Sequence, residues 1–242
     1  TKMSSKSAIK VLVPENADGT LFKWVALLTG SKNALKGAGF FLGGLLLTTV
    51  GFRNALWLMA AGLTLVLLAT LISLPKEIGM AKKKTKFSAI LSKSRDINLL
   101  SAARLFLFGS RDIWFVVGLP VFLSASLGWS HAEVGGFLAL WVIGYGGVQA
   151  LAPQLLKGAT PRGGTASAGA FALAGLTVLI ALGVQLQLSP WLTVVAGLVL
   201  FGLVFAVNSA VHSYLILAYT DSDRATLDVG FYYMANAAGR LV

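Results

Sequence analysis

Residues 101–120 read SAARLFLFGSRDIWFVVGLP, a stretch apolar enough for a membrane helix that nevertheless carries Arg104 and Arg111. Seven residues along an α-helix return to within about 20° of the starting direction, so both guanidinium groups leave one face, roughly 10 Å apart along the axis. If the helix spans about residues 98–124, Arg111 lies near its midpoint. An ionisable side chain at that depth is costly and marks a candidate functional site.

Two simpler interpretations of Arg111 remain open. It could pair with Asp112, or its side chain could extend to the membrane surface. Adjacent residues on a helix point about 100° apart, which makes Asp112 a poor partner within the helix. We therefore expect Arg111 to contact a group elsewhere in the bundle or an anionic ligand.

The composition is typical of a polytopic α-helical membrane protein. Hydrophobic residues make up 56% of the 242 positions, charged residues 12%, and the mean hydropathy is +0.79. Apolar runs of about 20 residues recur, each long enough to cross a hydrocarbon core of about 30 Å. Cysteine is absent, so these residues offer neither disulfide bonds nor thiol chemistry.

Hydropathy predicts an all-α bundle with six complete membrane spans and the start of a seventh. We expect the end of an N-terminal helix bundle (1–75), a basic cytoplasmic linker (76–97) and a C-terminal helix bundle (98–242). Because residue 1 is Thr and the seventh span is too short to cross the membrane, we interpret the chain as an internal fragment of a longer protein. The predicted spans cover about 21–50, 54–74, 98–124, 132–151, 166–188 and 191–219, and the seventh starts at 229.

The basic residues alternate between the two sides of the predicted membrane. Thirteen of the 20 Lys and Arg lie in alternate loops, whereas the opposite loops contain only Arg53. Loops rich in Lys and Arg stay in the cytoplasm, so the net charge of +11 indicates orientation in a lipid bilayer and no nucleic-acid partner. The basic loops are 1–19, 75–97, 153–165 and 220–228.

The first and fourth spans carry polar side chains at helical spacing. Lys32 and Lys36 are one turn apart near the cytoplasmic end of the first span, where they either face a site or extend to the membrane surface. Trp141, Tyr145 and Gln149 form a stripe on the fourth span. This stripe would stack against and hydrogen-bond a ligand, or pack between helices.

The sixth and seventh spans carry a second set of candidates. Asn208 and His212 are one turn apart and either contact a ligand or hydrogen-bond a neighbouring helix. Tyr232, Asn236 and Arg240 follow one another at four-residue spacing. We place Arg240 close to the middle of the membrane, as for Arg111.

Glycines in two spans predict close packing between helices. Gly39 and Gly43 form a small-xxx-small pair in the first span, and Gly144, Gly146 and Gly147 cluster in the fourth. A glycine lets the backbone of a neighbouring helix approach closely, and the three glycines of the fourth span could instead let that helix bend.

Embedded cations outnumber embedded anions in these spans. Lys36, Arg104, Arg111 and Arg240 stand against Asp112. Excess positive charge in a cavity of low dielectric constant favours a multiply charged anion, which Arg binds in bidentate fashion. The residues therefore predict a permease for an organic anion.

The sequence shows no recognisable motif of an enzyme or of an ATP-driven pump. It contains no phosphate-binding loop of the G-x-x-x-x-G-K-[ST] type. The two histidines, His131 and His212, are too far apart to form a metal-ligand pair, and no nucleophile–base arrangement is visible. We expect no catalytic residues, no cofactor and no metal.

Five segments resemble the organoarsenical efflux permeases (ArsJ type) of bacterial arsenic resistance, within the twelve-span major facilitator superfamily. The resemblance covers nearly the whole chain. The segments are TKMSSKSAIKVLVPENADGTLFKWVALLTGSKNALKGAGFFLGG (1–44), SAARLFLFGSRDIWFVVGLPVFL (101–123), GGFLALWVIGYGGVQALAPQLL (135–156), FAVNSAVHSYLILAY (205–219) and VGFYYMANAAGRLV (229–242).

This resemblance implies a fold, a location and a substrate. The chain would form about spans five to eleven of twelve, in the bacterial inner membrane. Glyceraldehyde-3-phosphate dehydrogenase, given arsenate instead of phosphate, makes 1-arseno-3-phosphoglycerate, and the permease would export this small anion by alternating access. The substrate has two oxyanion groups three carbons apart, which suits a cationic cavity.

Within this scheme Arg111 and Arg240 would hold the two oxyanion groups, and Lys36 and Arg104 would line the cytoplasmic approach. Neutral side chains would add hydrogen bonds. The alternatives are a permease for another organic phosphate or carboxylate, a membrane enzyme acting on lipids, and a receptor or scaffold that does not transport. The neutral candidates are Tyr145, Gln149, Asn208, His212, Tyr232 and Asn236.

Overall fold

The computed structural model describes residues 6, 9–10, 12–14, 17–73, 94–221 and 224–241, and within these ranges the secondary structure is helical. The predicted linker at 76–97 lies mostly outside the described residues and stays a prediction. The helices are α1 (Asp18–Ser73), α2 (Arg95–Ile113), α3 (Leu119–Ala125), α4 (His131–Ala150), α5 (Ala152–Leu155), α6 (Gly163–Gln185), α7 (Gly197–Ala218) and α8 (Ala225–Ala238).

Two of the spans contain a π-helical turn. Trp114–Gly118 joins α2 to α3, and Leu192–Ala196 leads into α7. A π-helical turn places one extra residue in the helix without ending it. Both turns pack into one apolar cluster, which contains Val194 of the second turn and is contacted by Trp114 of the first.

The predicted fold class, an all-α polytopic membrane bundle, is confirmed. In the described ranges, four helices are long and apolar enough to cross a membrane. The predicted spans at 21–50 and 132–151 are helical as well. The four helices are Thr49–Ser73, Arg95–Ala125, Gly163–Gln185 and Leu192–Ala218.

The first two predicted spans are separated by a single residue. Gly51 has φ 75° and ψ 167°, a conformation that side-chain-bearing residues avoid, and both flanking segments are helical. The loop predicted at 51–54 is therefore shorter than expected. After this break, Ala55 is the buried residue in 52–73, and the other side chains are exposed, as in a helix that faces lipid.

The first half of α1 packs along α4 through small residues. A Cβ atom on Gly146 would lie 2.5 Å from the amide nitrogen of Ala34 and 2.6 Å from the carbonyl oxygen of Gly30. A Cβ atom on Gly30 would lie 2.6 Å from the amide nitrogen of Ala150. The two backbones are thus in contact, the arrangement that small residues permit in membranes.

The glycine prediction was correct for Gly146 and wrong for Gly39 and Gly43. A Cβ atom on either of those two would have no heavy atom within 4 Å among the described residues, and the same holds for Gly144 and Gly147. The helix contact depends on which side of α1 faces α4, and the spacing of Gly39 and Gly43 does not contain that information.

Helix α7 forms the centre of the bundle. It packs against α1, α2, α4, α6 and α8, and nearly every side chain in 205–217 is buried. One apolar cluster joins α7 to α1 and α8 through residues such as Phe22 and Val229. A second joins α7 to α2 and α4 through Phe108, Phe205 and Trp141.

We predict that Gly51→Ala lowers the free energy of unfolding by about 1–3 kcal/mol, because an alanine is strained in this conformation. The added methyl group itself has open space. Gly62→Ala is the matched control: it lies in helical backbone with open space and should be neutral or stabilising by up to about 1 kcal/mol. Reversible unfolding in mixed detergent micelles measures both, and equal values would contradict the backbone argument.

We also predict that Gly146→Ala destabilises the bundle by about 1–3 kcal/mol, because its methyl group would meet backbone atoms of α1 that cannot move individually. Gly144→Ala, two residues away in open space, should cost nothing. The same unfolding assay compares the two variants. A Gly146→Ala protein as stable as Gly144→Ala would show that α1 and α4 are not in backbone contact.

Candidate functional site

Helix α7 carries four polar side chains on two consecutive turns in its buried middle. Asn208, Ser209, His212 and Ser213 are each at most 3% exposed. Asn208 packs against Gly169 of α6, where an added Cβ atom would lie 2.7 Å from the Asn208 Cγ. The other three occupy a helix that is also packed against α2 and α8.

Arg104 reaches this polar segment from α2. The side chain is buried, and its Nη1 donates a hydrogen bond to the Ser209 Oγ at 3.1 Å. The guanidinium carbon lies 3.7 Å from the centroid of the Phe108 ring and 5.1 Å from that of Tyr232. Arg104 thus connects α2, α7 and α8 through one hydrogen bond and two cation–π contacts.

Several buried polar atoms, some of them near Arg104, have no hydrogen-bond partner among the described residues. Native proteins contain only a few such atoms per 100 residues, and each costs about 1–3 kcal/mol. A concentration of them in one region marks a place that a polar ligand would complete. Near Arg104 they are its own Nε, Lys6 Nζ and His212 Nδ1, and Ser101 Oγ precedes it by one turn. Gln149 Nε2, Asn208 Oδ1 and Nδ2, and Asn236 Oδ1 also lack partners among the described residues, but Gln149 contacts α1 and Asn208 contacts α6.

Lys6 is a member of this region that the sequence analysis missed. Its side chain is buried, with Nζ 5.4 Å from the centroid of the Tyr233 ring. Arg104 and Lys32 are near enough for their charges to act on it. Lys6 belongs to the basic segment 1–19, which was predicted as a cytoplasmic loop, and no pattern indicated that one of its lysines would be buried.

The predicted stripe on α4 divides into packing and site residues. Trp141 is a packing residue, because its Nε1 donates to the carbonyl oxygen of Leu198 at 2.9 Å. The Gln149 Oε1 accepts a hydrogen bond from Asn33 at 2.6 Å and links α4 to α1. Both contacts match the interhelical alternative of the sequence analysis.

Tyr145 lies between these two residues on α4. It belongs to the cationic region, by which we mean the surroundings of Arg104 and Arg111. Its ring stacks on Trp141 with centroids 5.7 Å apart and planes 10° apart. Its hydroxyl lies beside Ser209, and the charges of both Arg104 and Arg111 act on it. A ligand that touched both arginines would therefore also meet this hydroxyl.

The expectation that Asp112 is a poor partner for Arg111 is wrong. The Asp112 Oδ1 accepts hydrogen bonds from Nε of Arg111, at 2.6 Å, and from its Nη2. The Asp112 Oδ2 accepts a hydrogen bond from Nε of Arg240 at 2.5 Å. The expectation was based on the directions of the Cβ atoms in a helix. An arginine side chain, however, is long enough to turn back onto the next residue.

Arg111 is also enclosed by aromatic rings. Its guanidinium carbon lies 4.7 Å from the centroid of Phe108, 5.1 Å from Phe205 and 5.8 Å from Phe115. Because Phe108 contacts Arg104 as well, the two cations share one ring. The predicted common face of Arg104 and Arg111 is therefore confirmed.

The remaining candidates lie at different distances from this centre. Tyr232 is fully buried beside Arg104. Asn236 is half-buried, Lys32 is half-buried, and Lys36 is exposed. The Arg240 side chain is 52% exposed and follows the end of α8.

The large cavity of the described structure lies elsewhere. It occupies 1130 Å³ between α2 and α6 and is lined mainly by apolar residues such as Leu99, Phe106 and Val178. His212 borders both this cavity and the cationic region. Apolar walls do not compensate the charge of an anion, so this cavity is a poorer candidate for an anion site than the region around Arg104.

The chemistry of the region follows from its charges. Arg104 has a neutral partner in Ser209, whereas Arg111 and Arg240 share one carboxylate. Arg104, Arg111, Arg240 and Asp112 together carry a net positive charge, next to donors that lack hydrogen-bond partners among the described residues. Such a site suits an oxyanion, which accepts several hydrogen bonds at once.

Comparison with known proteins identifies the family. No curated protein and no solved structure shows a significant match to the chain. The sequence profile of the Major Facilitator Superfamily matches residues 13–242, which is nearly the whole chain. Together with the apolar helices, this match shows that the chain belongs to the Major Facilitator Superfamily of multi-pass membrane transporters.

Proposed function

We propose that this transporter exports an organic anion with two oxyanion groups, and that the anion is 1-arseno-3-phosphoglycerate. The observation that supports an anionic substrate is that Nε of Arg104 and Nζ of Lys6 are buried without a hydrogen-bond partner among the described residues. The resemblance of five long segments to the organoarsenical efflux permeases supports the arsenic compound. The protein would reside in a bacterial inner membrane and confer resistance to arsenate.

In this proposal Arg104 and Lys6 bind one oxyanion group. Arg104 is fixed by Ser209 and Phe108, so its Nε, which has no partner among the described residues, has a defined direction. Arg111 binds the second group, across the shared Phe108 ring, and Tyr145 donates between them. A substrate whose two anionic groups are three carbons apart matches Arg104 and Arg111, whose guanidinium groups both contact the Phe108 ring.

Transport would follow alternating access, in which two helix bundles rock around a site near the middle of the membrane. The membrane potential favours the export of an anion by about 2.3 kcal/mol per charge per 100 mV. An anionic substrate therefore leaves the cell with a favourable free-energy contribution from the membrane potential. Glyceraldehyde-3-phosphate dehydrogenase would supply the substrate, and no covalent step by the permease is needed.

The second candidate is a permease for another organic phosphate or carboxylate. The same cationic site serves it equally well, because phosphate and arsenate groups share charge and geometry. A lipid-modifying enzyme or a receptor would not depend on the charges of Arg104 and Arg111. The experiment below separates these functions.

We predict that inside-out vesicles containing the full-length transporter accumulate arsenic when arsenate, glyceraldehyde 3-phosphate, NAD and the dehydrogenase are all supplied outside. Arg104→Gln should reduce the initial rate at least tenfold, because a hydrogen bond to a charged group contributes about 1.5–3 kcal/mol and about 1.4 kcal/mol is tenfold. Arg111→Gln should reduce it similarly. Trapped arsenic is counted after filtration.

Arg53→Gln is the matched control, because Arg53 is an exposed cation outside the cationic region. It should transport at the wild-type rate. Accumulation that survives Arg104→Gln would keep the substrate and reject the site. Transport of an ordinary phosphate ester without any response to arsenate would reject the arsenic compound and favour the second candidate.

A further inference from the structure

Asp112 is an embedded carboxylate whose two oxygens are bound by arginines from different parts of the chain. Its side chain is 7% exposed. Arg111 precedes it on α2, whereas Arg240 follows α8. Carboxylate and phosphate oxygens are recognised by guanidinium groups in the same bidentate manner, so Asp112 occupies the positions that an oxyanion ligand would take.

Arg111 does not depend on Asp112 for its position. The rings of Phe108, Phe115 and Phe205 surround its guanidinium group. Arg240 is half-exposed and can be reached by a ligand. If the carboxylate moved away, Arg111 would therefore remain ready to bind another anion.

We propose that Asp112 is an internal counter-anion that competes with one oxyanion group of the substrate for Arg111 and Arg240, which together form a second anion subsite. The inference rests on the proposed function, and it assigns this subsite to the phosphate or arsenate end of the substrate. Binding is an exchange, in which a ligand oxyanion replaces the Asp112 carboxylate.

One ligand oxyanion replaces one Asp112 carboxylate, because the bundle around Arg111 is apolar. Leaving Arg111 without a counter-charge inside an apolar bundle is costly, so Asp112 leaves only when another anion arrives. The resting site thus remains electrically compensated before the substrate enters. It also discriminates against small neutral molecules, which cannot displace a carboxylate.

The exchange also affects how α2 and α8 are held together. The backbones of these helices touch near the ion pairs, since a Cβ atom on Gly109 would lie 2.5 Å from the carbonyl oxygen of Gly239. Asp112 of α2 and Arg240 after Gly239 form the adjacent polar connection. Displacing Asp112 therefore removes one of the polar links between the helices, which couples ligand binding to their separation.

We predict that Asp112→Asn binds 3-phosphoglycerate more tightly than the wild type, with a Kd roughly 5- to 100-fold lower, because the competing carboxylate is gone. This stable probe has a phosphate and a carboxylate at its two ends. Binding of the labelled compound to full-length protein in nanodiscs measures the Kd. The gain should disappear in an Arg111→Gln background, since competition requires that arginine.

Asp96→Asn is the matched control, because Asp96 is an exposed carboxylate in the first turn of the same helix. Its Kd should equal that of the wild type. A Kd for Asp112→Asn that is unchanged or higher, while the wild type binds, would overturn the internal counter-anion and leave the proposed function standing. Failure of the wild type to bind this probe or any phosphate ester would overturn both.

A second measurement uses the wild type and does not depend on the folding of Asp112→Asn. Difference infrared spectra should show a shift of an aspartate carboxylate band when 3-phosphoglycerate is added, because the Asp112 oxygens lose their arginine partners. The shift should persist in Asp96→Asn and change position in Asp112→Glu. Saturating binding with no change in any carboxylate band would overturn the exchange.

Discussion

The guanidinium group of Arg104 is buried among helices that are otherwise built from apolar side chains. A charge in such a position costs about 2.5–3.5 kcal/mol by insertion measurements, and the cost falls only where polar or aromatic groups surround it. Here the Ser209 hydroxyl and the rings of Phe108 and Tyr232 provide that environment. These groups come from three helices, so holding the charge requires that α2, α7 and α8 meet at one place.

The same constraint explains the composition of α7. A central membrane helix is normally apolar throughout, yet Ser209, His212 and Ser213 are buried in its middle. Each of them costs free energy unless a partner is found. They are placed where the side chains of Arg104 and Tyr232 enter the bundle, so the polar residues lie together and the rest of α7 remains available for apolar packing.

Much of the fold could be predicted from the sequence because hydropathy and charge act along the chain. The membrane requires long apolar helices, and the distribution of Lys and Arg predicts which of their ends are cytoplasmic. The boundaries were correct to within a few residues for most spans. The break at Gly51 was predicted as a longer loop, since sequence cannot show that a single residue of positive φ suffices.

The site was predicted less completely, because it depends on contacts between helices. The seven-residue spacing correctly placed Arg104 and Arg111 on one face, where they share Phe108. It could not show that Asp112 binds Arg111 and Arg240, because that contact depends on side-chain torsions and on the position of α8. Nor could periodicity indicate that Lys6, outside every predicted span, is buried near Arg104.

The two π-helical turns, Trp114–Gly118 and Leu192–Ala196, lie in one apolar cluster, and the first begins two residues after Asp112. A π-helical turn inserts one extra residue, which offsets by about 100° the direction of every side chain that follows it in the span. The faces that Leu119–Ala125 and Gly197–Ala218 present to their neighbours are therefore set by the turn before each of them.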